Sequence, residues 1–133
     1  MSRRKDDVLI RYGGNAPETK EQQALYNWAS MVPVLKDFIF AIPNGGSRSG
    51  PREGARFKAE GVRPGVPDLM IAYPARGYHG LFIELKKRKG GRLTPAQNDW
   101  LTKLEDVGYF TKCCYGWDEA RELIEWYMFD RRV

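Results

Sequence analysis

Residues 61–86 constrain this chain more than any other stretch of it. They hold two short apolar runs, one closing with Pro-Asp-Leu-Met-Ile-Ala and one reading Leu-Phe-Ile-Glu-Leu-Lys, joined by a turn over 73–80 that contains Pro and Gly. Runs of this length bounded by such a turn predict two strands of a hairpin. Alternation places Leu81, Ile83 and Leu85 on one face of the second strand and Glu84 and Lys86 on the other. Asp68 reaches that second face from the neighbouring strand. A carboxylate and an ammonium projecting from an apolar strand are costly to bury without a purpose.

The rest of the chain reads as support for this hairpin. Residues 1–16 are polar and predict a loose, flexible arm with at most a short strand over 8–10; residues 17–133 form one domain. A helix is expected over 17–31, with Leu25, Trp28, Ala29 and Val32 as its apolar stripe. One turn back, that stripe lands on Glu21, which therefore faces inward. Residues 37–42 predict a strand, stopped by Pro-Asn-Gly-Gly. A Gly/Ser loop over 45–50 leads to a helical stretch over 51–60, with Gly61 in the C-cap position. After the hairpin, a basic turn precedes Thr94-Pro95-Ala96-Gln97, which has the spacing of a capping box with Pro at the first helical position. The stripe of that helix is Trp100, Leu101, Leu104 and Val107. A strand over 109–115 follows, then a last helix capped by Asp118 with Ala120, Leu123, Ile124 and Tyr127 facing inward. The expected fold is α/β, a mixed central sheet flanked by helices.

Length and charge narrow the classes. At 133 residues the chain suits one domain. A formal charge of +5 favours an anionic partner, nucleic acid first. No apolar run approaches the roughly 20 residues that span a bilayer, so no membrane partner is expected. The N-terminus has no apolar region after its basic residues, unlike a secretory signal. Adjacent Cys113 and Cys114 build neither a disulfide framework nor a zinc site. The expected setting is intracellular and cytoplasmic.

The acids of the hairpin suggest phosphodiester hydrolysis. That reaction needs an attacking water, charge neutralisation and help for the leaving oxygen, and a hard cation held by oxygen ligands supplies most of it. Asp68 and Glu84 are the expected ligands for Mg²⁺ or Mn²⁺, with the backbone carbonyl of Leu85 as a third. Lys86 would stabilise charge or orient the water. The plain alternative is a salt bridge at a sheet edge, since Glu-x-Lys is a common tripeptide; Pro67 before Asp68 and fifteen residues between the acids count against it.

Pro67-Asp68, Glu84-Leu85-Lys86 and the downstream Gln97 resemble the PD-(D/E)xK nuclease superfamily. With Gly65-Val66-Pro67-Asp68-Leu69 preceded by Ile42-Pro43-Asn44-Gly45-Gly46, the chain is similar to the virus-type replication-repair (VRR-NUC) branch. The resemblance spans roughly residues 21–114. It implies a restriction-endonuclease-like core and a Mg²⁺- or Mn²⁺-dependent endonuclease acting on DNA. It also implies a preference for four-way (Holliday) junctions or other branched DNA, and a homodimer of bacterial or phage type. It further implies an additional acid on the first helix, a position that Glu21 matches.

Several residues keep two readings. Gln97 is either the glutamine of the nuclease motif or only the partner of Thr94 in the capping box. Asn44 binds phosphate or a metal-bound water, or simply makes a turn. Glu21 is a site acid or a helix-terminus acid favourable to the dipole. Arg48, Arg52, Arg56 and Arg63 lie before Asp68, and Lys87, Arg88, Lys89 and Arg92 follow Lys86; they are either a DNA-backbone surface or solvated faces. His79 reads as a surface residue. Two rival functions stand beside the nuclease: a catalytically weak DNA-binding module with a nuclease-like core, and a restriction-type enzyme cutting a specific duplex site.

Overall fold

A computed structural model describes residues 11–43 and 50–130. Helix α1 (Glu18–Ala29) starts after Pro17, whose carbonyl accepts the N–H groups of Lys20 and Glu21. Ala24, Leu25 and Ala29 are buried on its inner face. One turn of helix, α2 (Leu35–Phe38), leads into the short strand β1 (Ile39–Ala41). The strand expected over 37–42 is thus shorter, because Leu35 turns into the core and draws residues up to Phe38 into a helical turn. Helix α3 (Gly50–Ala59) ends at Gly61, where the Val62 N–H donates to the Phe57 carbonyl at 2.8 Å. The strand over 8–10, Asn44 and the loop residues 45–49 lie outside the described residues.

Strands β2 (Leu69–Ile71) and β3 (Leu81–Lys86) form the expected antiparallel hairpin. Helix α4 (Pro95–Asp106) then carries the chain to β4 (Phe110–Tyr115), which runs parallel to β3. The final helix is α5 (Trp117–Phe129). The sheet order is β1-β2-β3-β4, so β3 has neighbours on both edges. All six residues of β3 are buried. A strand covered on both faces cannot leave an acid to solvent, which makes Glu84 and Lys86 conspicuous.

The main apolar cluster lies on one face of the sheet. Leu81, Ile83 and Leu85 meet Ile39, Leu69, Ile71 and Cys114 in the sheet, with Leu25 and Ala29 of α1 and Ala120, Ile124 and Tyr127 of α5 above them. Truncating a fully buried member such as Ile83 to Ala costs about 2–5 kcal/mol. Tyr127 pins the hairpin turn to α5: its hydroxyl donates to the Tyr73 carbonyl at 2.7 Å and accepts the Ala75 N–H at 3.1 Å.

Three local expectations are corrected. Gly116 rather than Asp118 precedes α5; Asp118 sits inside the first turn and pairs with Arg88. Val107 is 61% exposed, because it follows the last helical turn of α4, while Leu101 alone of that stripe is buried. The expected arm is packed at its inner end. Ala16 is fully buried, and the Asn15 side chain accepts the Lys89 N–H at 3.1 Å.

Candidate active site

Register across the hairpin brings the two motif acids together. Leu69 pairs with Ile83, so the preceding Asp68 stands opposite Glu84, on the face away from the core. Asp68 Oδ2 accepts the Leu85 N–H at 2.9 Å. Glu84 is 1% exposed; its Oε2 accepts a hydrogen bond from Gln97 Nε2 at 3.3 Å and lies 3.8 Å from Lys86 Nζ. Among the described residues no donor reaches Glu84 Oε1. Burial first, then the charge of Asp68 and a hydrogen bond with it, push the Glu84 carboxyl up to about 9, against the opposing pull of Lys86. Two carboxyl groups this close cannot both ionise comfortably without a cation.

Gln97 makes the capping box and also touches Glu84. Its N–H donates to Thr94 Oγ1 at 3.2 Å, and its Oε1 accepts the Thr94 N–H at 2.9 Å, completing the capping box. With Oε1 so engaged, the amide NH₂ end is the one turned to Glu84. The loop before Asp68 closes on the same helix end. Gly65 has φ +87, and a Cβ there would come within 2.8 Å of the Ala96 backbone. Glycine therefore allows the close approach of loop and helix that sets Gln97 over the hairpin.

The donor set fits a hard divalent cation. It has an orphaned buried carboxylate oxygen, a second carboxylate beside it and no soft ligand between them. N–H and C=O of one strand residue point to the same neighbour. Since the Leu85 N–H points to Asp68, its carbonyl also lies on the Asp68 side. Among the described residues no three His, Cys, Asp or Glu side chains are gathered as a ready metal cage.

Glu21 is not in this group. It is fully buried, and its carboxylate takes Arg88 Nε at 3.0 Å and Nη2 at 3.3 Å, and the Trp117 N–H at 2.9 Å. The metal-ligand expectation for Glu21 is therefore corrected: its oxygens are consumed in tying α1 to the end of β3 and to the N-terminus of α5. The acid of α1 whose charge does reach Glu84 is Glu18, half-buried one turn earlier. Sequence reasoning missed it, although the stripe that runs back from Leu25 through Glu21 continues to Glu18. Cys113, in register with Glu84 on β4, was also missed as a neighbour. Burial holds its thiol above the usual range and pushes that of Cys114 up to about 12, so neither is an activated nucleophile.

The basic residues divide. Arg88 leaves the DNA-binding set, because its guanidinium is held between Glu21 and Asp118, the latter at 2.5 Å. A Cβ at Gly116 would meet Arg88 Cζ at 2.9 Å, so the network needs glycine there. Arg52 and Arg56 are exposed on α3, Arg63 is exposed beside the Trp100 ring, and Lys89 and Arg92 are exposed after β3. Lys87 is half-buried. Asn44 and Arg48 lie outside the described residues.

A family model described as the VRR-NUC domain matches residues 11–118. A solved structure described as a VRR_NUC domain protein is 33% identical and superposes with a TM-score of 0.71, covering 84% of this chain and 87% of its own. None of the curated proteins matches.

Proposed function

Because the chain belongs to the VRR-NUC family, whose domain is a nuclease of the PD-(D/E)xK type, we propose that it is a Mg²⁺- or Mn²⁺-dependent DNA endonuclease. The observation that carries this reading is the buried pair Asp68 and Glu84, with an unpartnered oxygen on Glu84 and Lys86 alongside. Asp68, Glu84 and the Leu85 carbonyl would hold the cation, and the charge of Glu18 also reaches Glu84. When bound, that cation neutralises phosphate charge and lowers the pKa of an attacking water.

The chain's own residues divide the remaining work. Lys86 is buried, with its Nζ 3.8 Å from Glu84 Oε2. Its ammonium would stabilise a phosphate oxygen whose charge grows in the transition state. Gln97 holds one Glu84 oxygen and leaves the other for ligation. Arg52, Arg56, Arg63, Lys89 and Arg92 are exposed and supply cations for the phosphate backbone.

We further propose that the substrate is branched DNA, four-way junctions included, and that two copies act together on two strands, a reading that rests on the family resemblance. The rival reading, DNA binding without cleavage, calls for a broken acid set, whereas Asp68, Glu84 and Lys86 stand together here. The test sets four-way junctions, flaps, splayed arms and linear duplex side by side with Mg²⁺ and Mn²⁺. Paired symmetrical nicks in the junction support the resolvase-like reading, and equal cutting of every substrate sinks it. Asp68→Asn should abolish cleavage and retain DNA binding; cutting at the wild-type rate would remove Asp68 as a ligand.

A further inference from the structure

The face of the sheet that carries the acids also carries a half-exposed aromatic side chain. Phe40 of β1 is in register with Met70 of β2, which is in register with Phe82 of β3. Residues directly opposite one another share a face, so Phe40 stands on the same face as Phe82, Glu84 and Lys86. Along that face, two residues of strand rise, about 7 Å, separate the Phe40 row from the row of Asp68 and Glu84. The β3 side of the row is filled: Phe82 is buried, with the edge of Tyr109 at 5.1 Å. The β1 side is open. Phe40 is 45% exposed, and among the described residues its ring stacks on no other ring and meets no cation.

Phe40 offers a half-exposed ring on a short edge strand. A second copy adding a strand to this edge is a poor fit, because β1 is only three residues long and offers few backbone hydrogen bonds. A nucleic acid strand fits better. Asp68, on the neighbouring strand and diagonal to Phe40, lies roughly 7–8 Å away, about the span of a single nucleotide, and α3 exposes Arg52 and Arg56. We propose that Phe40 is a stacking platform for an unpaired base next to the phosphate held at Asp68 and Glu84. This rests on the nuclease reading and deepens it by naming the substrate feature. Aromatic stacking accepts any base but needs its flat face free. In a continuous duplex that face is covered by neighbouring base pairs; at a branch, gap or frayed end it is not. Phe40 would thus select for unpaired structure without reading sequence.

The experiment compares wild-type protein with Phe40→Ala, Phe40→Leu and Phe40→Trp on a linear duplex and on a splayed-arm DNA of the same sequence. In the splayed arm, 2-aminopurine replaces successive unpaired bases. Wild type, and Asp68→Asn as a non-cleaving form, should change the 2-aminopurine emission at one position beside the cleavage site. Phe40→Ala and Phe40→Leu should abolish that change, and Phe40→Trp should restore it. The splayed-to-duplex ratio of kcat/KM should fall about tenfold in Phe40→Ala, within the range expected for one stacked base. An abasic residue at the same position should produce the same fall in wild type, with no further loss in the variant. Leu keeps apolar volume without a ring face, so loss in Leu and recovery in Trp cannot come from misfolding. An emission change that survives Phe40→Ala overturns the proposal, as does an equal loss on both substrates. A shift in the sedimentation of Phe40→Ala also overturns it, because the patch is then a contact between copies. If wild type cuts nothing yet the emission change depends on Phe40, the nuclease reading fails and the stacking platform stands.

Discussion

Glu84→Gln should make the metal-free protein more stable while ending cleavage. Glu84 is buried beside Asp68, and its carboxyl is pushed up to about 9 from an ordinary 4.5. The folded state therefore binds this proton more tightly than the unfolded chain does. Below pH 4.5 the group is protonated in both states and costs nothing. Between 4.5 and 9 the unfolded chain gives up a proton that the fold retains, so stability falls by about 1.4 kcal/mol per pH unit. At pH 7 the accumulated loss is about 3 kcal/mol. Glutamine imitates the neutral carboxyl and removes that loss. For a domain of this size the gain corresponds to a rise in Tm of roughly 10 °C. The assay is thermal melting in EDTA at pH 7 and again at pH 4, where the two proteins should melt together. Adding Mn²⁺ at pH 7 should then raise wild type and leave Glu84→Gln unmoved, since ligand binding stabilises only the form that binds. A variant that melts at or below wild type at pH 7 would refute the reasoning, and so would an advantage that persists at pH 4.

Other perturbations separate ligands from scaffolding. Glu21→Gln should lower stability by about 1–3 kcal/mol, the cost of weakening charge-assisted hydrogen bonds while Asp118 still pairs Arg88, yet keep the Mn²⁺-induced rise in Tm; loss of that rise would return Glu21 to the ligand set. Lys86→Ala should reduce single-turnover cleavage by two to three orders of magnitude or so while Mn²⁺ still raises the Tm. Unchanged cleavage would show that the ammonium has no part in the chemistry. Gly65→Ala combines an unfavourable backbone angle with a collision at Ala96. It should weaken cleavage per folded molecule by displacing Gln97, and a fully active, equally stable variant would contradict the tight loop–helix contact.

What could be read from the chain before its folding was mostly what depends on short-range pattern. Alternation in 81–86 assigned Leu81, Ile83 and Leu85 to the core and Glu84 and Lys86 to the opposite face, and both assignments hold. Thr94 through Gln97 announced their capping box. What failed depends on distant partners. The stripe of α1 correctly turned Glu21 inward, but inward from a helix includes both the hairpin acids and the start of α5. Only tertiary placement of Arg88 and Trp117 decides between them. Arg88 looked like one more cation in a basic turn, and nothing local marks it as the single one that folds back. The parallel register of Glu84 with Cys113 follows from the crossover through α4, which no local pattern encodes. The short helical turn ahead of β1 likewise arises from the burial of Leu35 against the sheet, not from residues 37–42 themselves.

The three hydrogen bonds of Gln97 have a kinetic corollary. One amide closes the first turn of α4 with its oxygen and steadies Glu84 with its nitrogen. Whatever frays residues 94–97 therefore also removes the Gln97 contact to Glu84. Heating should consequently silence the protein before it melts: activity should decline as the helix end loosens, several degrees below the temperature at which the sheet gives way.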